Sequence, residues 1–566
     1  MAGTAVLGHV LGLGAASLLA GIAAVMCVIA AFGGTLAGDL RFFVVFGPVM
    51  VGVVAGPRLL SAVSPLAAMA VVAVVVFVAG VLPGFGRRYQ AVALAVGLGV
   101  VFGYAYPLPD TVSWPQLVGA PVVAVVVAVV IRIAAGAPDP RRPVREALVA
   151  VLTDAKHDSV DEAIRLLQQD TPRRWTVDVF AAALTYRAKA AMMRVRESRP
   201  ADVSAEHGTP DVVTAVAAMT LARRPAVLDA EEPTSGDQAV SASMLISLRV
   251  LAATASDRDE TPYPVPAEWR RWAGTVRWRS VISWRSEQFR HALRITAAMV
   301  VVLALSSLEP ADPLKVTLLA VTFGIVQPAW RATVTKLRQR FLGVLVGVVL
   351  LAVVVGLAPE PWLLPIGLAS LLVGLAFISS RPAVYYAASV LLSVGTKAAT
   401  TGLDPVALLV EYPLLVVLAA AVGLVFGFVA VPWMRPPGVA ELLTTAEART
   451  ADLLRAVTQS NVRSVPDTAR LGALLGAADL ARRNLVLARP IPGPGEDDRA
   501  RAIDHVSEGL RGLAASAAAL HVGDHPPRGV PCGDGPMSTG GDVDEVVETV
   551  RASMALIRTG ARTLGA

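Results

Sequence analysis

Six basic residues are where this sequence offers the clearest chemistry. Arg294 and Lys315 each border a long uncharged run, and Arg331, Lys336, Arg338 and Arg340 crowd ten positions between two more such runs. A guanidinium presents a fork of donors that matches a carboxylate, and a lysine adds a compact point charge. Two readings of these cations stand. In one they fix topology and touch lipid phosphate, because Lys and Arg collect at cytoplasmic ends of spans. In the other some of them line a path for small anions. Two further groups, Glu411 and His291, are candidates for carrying a coupling ion, since ionisable groups near membrane segments are functional suspects by default. Glu411 follows the apolar pentapeptide at 406–410 and precedes a span, and it equally reads as a marker of the outer interface. His9, Asp39 and Asp404 also lie near apolar segments.

Other chemistries are not signalled. The sequence has no phosphate-binding loop, no GxSxG, no HExxH and no paired CxxC. Its seven histidines show no metal-ligand spacing on one face, and Cys27 and Cys532 have neither partner nor spacing for a site. The expectation is a non-enzyme without metal or cofactor. The net charge of +6 is what juxtamembrane arginines give and does not argue for nucleic acid.

The elements that must position these residues are membrane helices. Of the 566 residues, 55% are hydrophobic, and mean hydropathy is +0.60, with the apolar residues gathered in runs that carry no charge. Such runs predict spans, each crossing about 30 Å of hydrocarbon. The first block has uncharged runs at 2–38 (a span over 10–31), 42–57, 59–86, 89–109 and 111–131. That gives five spans, or six, because 59–86 exceeds one crossing and falls short of two. The second block has runs at 295–308, 316–330, 341–358, 362–380, 382–396 and 412–434, which predict six spans. Its connections alternate between an acidic turn at 309–313 and a basic loop at 331–340, which places the basic side in the cytoplasm. The N-terminus lacks a basic leader and cleavage pattern, so the first run reads as a retained span.

One stretch carries a family resemblance. The residues are His291, Ala292, Leu293 and Arg294, then Pro328 and Arg331, then Gln339, Arg340, Gly343 and Gly347. On them the region 290–350 resembles the fusaric acid resistance family of bacterial inner-membrane exporters, with a distant likeness to aluminium-activated malate transporters. The family has Thr after the first of those glycines, where Val344 stands here. The resemblance implies export of organic or aromatic acids across the bacterial inner (plasma) membrane, driven by the proton gradient. A passive anion channel and a non-transporting membrane scaffold are the alternatives. Gly343 and Gly347 read as a small-residue helix contact rather than a site.

The fold expected is therefore an all-α polytopic membrane protein with two transmembrane blocks, at 1–135 and 289–435, each followed by a helical cytoplasmic domain, at 136–288 and 436–566. Its partners are the lipid bilayer and a small organic anion, with a homo-oligomer left open. Both blocks hold a basic residue before a short apolar span ending at Pro and Arg, with Arg41, Pro57 and Arg58 set against Lys315, Pro328 and Arg331, which suggests a diverged internal repeat. In the middle domain Ser159 and Glu162 have capping-box spacing, and Thr176 opens a further helix. Trp269, Trp272, Trp278 and Trp284 interleave with arginines, as in a helix lying at a membrane face or in a soluble helix with a basic face. In the tail, Ile503, Val506, Leu510 and Leu513 form an apolar stripe suited to a bundle or, less readily, to a dimeric coiled coil.

Overall fold

An uncharged run placed in hydrocarbon must satisfy every backbone polar group within itself, which leaves the helix as its only open-chain form. The computed structural model describes residues 1–109, 111–153, 159–169, 172–180, 182–183, 186, 216–222, 252–253, 255–256, 258–263, 278, 281–284, 286–308, 314–326, 330–357, 359, 362–377, 380–401, 405–426, 438–460, 468–487, 497–524 and 557. Among them the fold is all-α, and seven helices are long and apolar enough to cross a membrane. An isolated bridge between Arg173 and Pro262 accompanies the helices. The chain divides into two compact units.

The first unit comprises 1–32, 42–132 and 287–436. Its N-terminal helices are α1 (Ala2–Val10), α2 (Ala16–Ala31), α3 (Leu36–Ser61, shared with the second unit), α4 (Pro65–Val81), α5 (Arg87–Ala105) and α6 (Trp114–Gly136). The span expected over 10–31 is broken, because Gly12 (φ +80°) and Gly14 (φ +53°) take left-handed conformations between α1 and α2. The ambiguous run at 59–86 becomes one helix. Ser64 caps it by accepting from the Ala67 amide at 3.3 Å, Pro65 supplies the first turn, and a short 3-10 turn, Leu82–Phe85, ends it at Gly86.

Contacts within this unit fix the helix directions. Arg88, at the start of α5, lies over the Phe42 ring 4.2 Å from its centroid, near the start of α3. Arg58, near the end of α3, donates to the carbonyls of Tyr106 (3.2 Å) and Leu108 (2.9 Å), just past the end of α5. Helices α3 and α5 are therefore parallel, which requires α4 to cross once between them.

The second block adds α9 (Glu287–Ser306), α10 (Lys315–Ile325), α11 (Trp330–Leu357), α12 (Leu363–Phe377), α13 (Pro382–Thr401) and α14 (Pro405–Leu424). Helix α9 starts against the end of α4, where Gln288 donates to Gly80 O at 2.6 Å and Phe77 meets Phe289 edge-on at 5.7 Å. Two predicted spans change form. The run at 316–330 yields an 11-residue helix, about 17 Å long, that ends at Ile325 and passes into extended backbone at Val326. Because α3 is a continuous 26-residue helix through Pro48 and Pro57, the suggested repeat partners do not form equivalent helices. The span expected at 412–434 instead begins at Pro405, which puts Glu411 inside α14. One apolar core, running from Leu19 through Met50, Val100, Met299, Leu319 and Val390 to Val416, joins these helices.

The second unit comprises 33–41, 133–286 and 437–566. In its middle segment α7 (Arg142–Leu152) and α8 (Ser159–Gln169) bury Leu148, Val151, Val160 and Leu166 with Trp175, Val179 and Ala255. Glu162 does not close a capping box, because its carboxylate is taken by Arg165. Arg165 also donates to Gly33 O, and the Leu36 amide reaches Pro140 O at 3.4 Å, so the connection after α2 packs with this segment. Arg258 caps the helical turn at 216–221 by donating to Met219 O (2.8 Å) and Ala222 O (2.7 Å), and burial together with nearby Arg145 lowers its pKa. In the tail α15 (Val439–Ser460), α16 (Thr468–Leu487) and α17 (Asp497–Asp524) pack together. There Ile503, Val506, Leu510 and Leu513 are buried against Leu443, Ala446, Leu485 and Ile557, so the stripe is satisfied within its own chain. Trp269 and Trp272 lie outside the described residues, while Trp278 and Trp284 are exposed.

Candidate functional site

The stretch 331–340, expected as a loop, forms the first turns of the 28-residue helix α11. Its sequence has no Gly or Pro from Trp330 to Leu342 and is rich in Arg, Lys, Leu and Gln, so helix propensity carries the apolar span back into the basic segment. That change has a chemical consequence. Residues four apart share a helix face, so Lys336 and Arg340 point together while Arg338, on another face, is exposed. Arg331 lies in the first turn, and its side chain falls outside the described residues, as do Pro328 and Asp404.

Arg340 sits where four helices meet. Its guanidinium lies over Tyr386 of α13, 5.0 Å from the ring centroid. Its Nη1 rests against Gly324 in the last turn of α10, 3.4 Å from where a Cβ would stand. The buried Tyr412 of α14 is hydrogen-bonded through its hydroxyl to Arg340 and to Ser393 of α13. Lys336 lies close enough to Arg340 and to His291 of α9 for their charges to act on one another. His291 is 6% exposed, and its Nδ1 has no hydrogen-bond partner among the described residues. No described acid pairs with Lys336 or Arg340.

The other basic candidates are placed differently. Arg294 is buried in α9 and pairs with Glu287 at 2.9 Å, and the same carboxylate takes Arg290 at 2.6 Å. Lys315 stands at the opposite end of α10 from Arg340, over Tyr104 at 4.8 Å, and Lys397 lies over Tyr106 at 5.6 Å. Glu411 is partly buried beside Tyr412 in sequence, on the same helix. Gly343 and Gly347 face α13, where a Cβ on Gly347 would come within 2.7 Å of Ala387 O. The sequence reading missed Glu287, Tyr386, Ser393 and Tyr412. Only Glu287 left a signal, its spacing of three and seven residues from Arg290 and Arg294 on one helix face.

The electrostatics follow from this arrangement. Two cations in an apolar bundle are costly unless something compensates them. Part of the compensation is the Tyr386 ring, and part is the carbonyl end of α10, where the helix dipole is negative. Neither is a counter-ion. A carboxylate entering beside the broken end of α10 would meet a guanidinium fork and an ammonium with no competing acid among the described residues, in the setting where interrupted membrane helices hold their ligands.

No curated protein and no solved structure matches the chain. A family model does: residues 297–426, which hold α10 to α14 and the second half of α9, match the family described as fusaric acid resistance protein-like. Together with the seven long apolar helices among the described residues, that match describes a multi-pass membrane protein whose residues 297–426 are similar to the fusaric acid resistance protein-like family.

Proposed function

We propose that this protein exports small organic acids, aromatic carboxylates among them, from the cytoplasm across a bacterial plasma membrane, with Lys336 and Arg340 receiving the anion. The observation that carries the reading is a cation pair without an acid partner among the described residues, set in an apolar helix bundle beside the end of a broken helix. Orientation is argued from charge. Arg88, Arg290, Lys336, Arg338 and Arg381 fall at or near the ends of helices that lead, by alternation of direction, to one side of the bundle, and a cytoplasmic assignment of that side satisfies the positive-inside rule. The domains at 136–288 and 436–566 are then cytoplasmic too. His291 and Glu411 are the groups through which a proton gradient would act, because both are ionisable and lie within the bundle's helices.

Proteoliposomes loaded with labelled benzoate test this reading. Export that responds to an imposed proton gradient and is largely lost in Arg340→Gln supports it. Flux that ignores the gradient identifies a passive channel. Absence of flux for benzoate and for a panel of aliphatic acids, with the protein folded and inserted, identifies a scaffold.

A further inference from the structure

Arg340 has more neighbours than an ion path needs. A guanidinium free to swing would already attract anions, yet this one is bounded on three sides, by the Tyr386 ring, the Gly324 backbone and the Tyr412 hydroxyl. Tyr412 is 2% exposed, and its hydroxyl has two polar neighbours, Arg340 and Ser393. A guanidinium can only donate, so the Tyr412 oxygen accepts from Arg340. One donor of the fork is spoken for, and the remaining donors are held in one plane.

We propose that Tyr412 is a positioning residue for anion binding, which holds the Arg340 fork in the orientation that a carboxylate requires, with Ser393 fixing Tyr412 in turn. This rests on the transport reading above. The physical basis is preorganisation: ordering a long side chain before the ligand arrives removes that cost from the binding step. Arginine gains most from such ordering, because its planar fork rewards a single orientation. Tyr412 itself need not touch the anion. The ligand class is a carboxylate, which a planar fork fits edge to edge.

The test is the concentration dependence of benzoate transport by the full chain in proteoliposomes, with benzoate binding in detergent measured alongside. Tyr412→Phe keeps the ring and removes the hydroxyl, and the half-saturating concentration should rise about tenfold while maximal flux changes little. Ser393→Ala should produce a smaller rise in the same direction. In an Arg340→Lys background, Tyr412→Phe should add nothing further, because an ammonium has no plane to orient. A role confined to packing would lower the amount of folded protein and leave half-saturation alone, and that outcome overturns the proposal. So does an equal effect of Tyr412→Phe with Arg or Lys at 340. If Tyr412→Phe does not fold, the Ser393→Ala shift decides. If the parent neither binds nor moves any acid, the transport reading fails first and this proposal falls with it; if the parent binds and transports while both variants match it, only this proposal fails.

Discussion

Arg294 is bonded to Glu287 at 2.9 Å with both side chains buried, so its charge is already matched within its own helix. Arg340, on α11, faces tyrosines and backbone instead. The two arginines carry the same charge in the same bundle and yet have different chemistry to offer. Removing one member of a buried pair leaves the other uncompensated, at a cost of about 3 to 5 kcal/mol. Glu287→Gln should therefore depress the thermal stability of the detergent-solubilised protein strongly. Glu287→Gln combined with Arg294→Gln should recover part of the loss, and a double variant no better than the single one would contradict the pairing.

At Arg340 the expected loss is in transport rather than in stability. A charge-assisted hydrogen bond is worth about 1.5 to 3 kcal/mol, so Arg340→Gln should cut the efflux of an aromatic acid by tenfold or more at normal abundance. Arg340→Lys should restore part of it, since the charge returns without the fork. Parent-like flux from both variants would make this arginine a topology determinant.

The single crossing by α4 is open to a labelling experiment. Val63 is exposed in the turn before α4, and Phe85 lies in the turn after it. Val63→Cys and Phe85→Cys, in a Cys27→Ser, Cys532→Ser background, should react with a membrane-impermeant maleimide from opposite sides. Labelling of both from one side would require an additional crossing or a re-entrant segment.

Close packing of α11 on α13 sets a steric limit. A Cβ at Gly347 would approach Ala387 O to 2.7 Å, whereas one at Gly356 meets nothing within 4 Å. Gly347→Val should destabilise by about 1 to 3 kcal/mol, the usual cost of overpacking. Gly356→Ala should be neutral or slightly stabilising, and equal effects at the two sites would rule out the contact.

In the second unit, the carboxylate of Asp259 accepts from the hydroxyl and the amide of Thr261, at 2.5 and 2.9 Å, and those bonds hold its pKa below the usual value of 3.8. A depressed carboxylate contributes stability above its unfolded pKa and loses it as pH falls through the folded one. The protection factors (exchange corrected for the intrinsic rate at each pH) of the Arg174 and Tyr263 amides, which bond to Thr261 O and Pro172 O, should accordingly fall on acidification below about pH 4. Asp259→Asn should show lower protection factors at these amides already at neutral pH and should lose the acid-dependent step. An unchanged step in that variant would assign it to another group.

The sequence by itself determined the class of fold, because a run of some twenty residues without charge in a bilayer can satisfy its backbone only as a helix. The basic cluster at 331–340 and the glycines at 343 and 347 were likewise visible as composition and spacing. Tertiary structure decided what those residues do. Propensity alone extends α11 through 330–342, but only packing brings Lys336 within electrostatic reach of His291 and sets Arg340 against Tyr386 and Tyr412, residues brought in from α9, α13 and α14. Tyr386 and Tyr412 sit in apolar runs where a tyrosine reads like any other large side chain. The end of α10 at Ile325 and the single crossing at α4 depend on neighbours far along the chain. Hydrophobic periodicity records which side chains avoid water; it holds no record of which partner each one finds, because that is fixed by contacts between helices and not by the solvent they share.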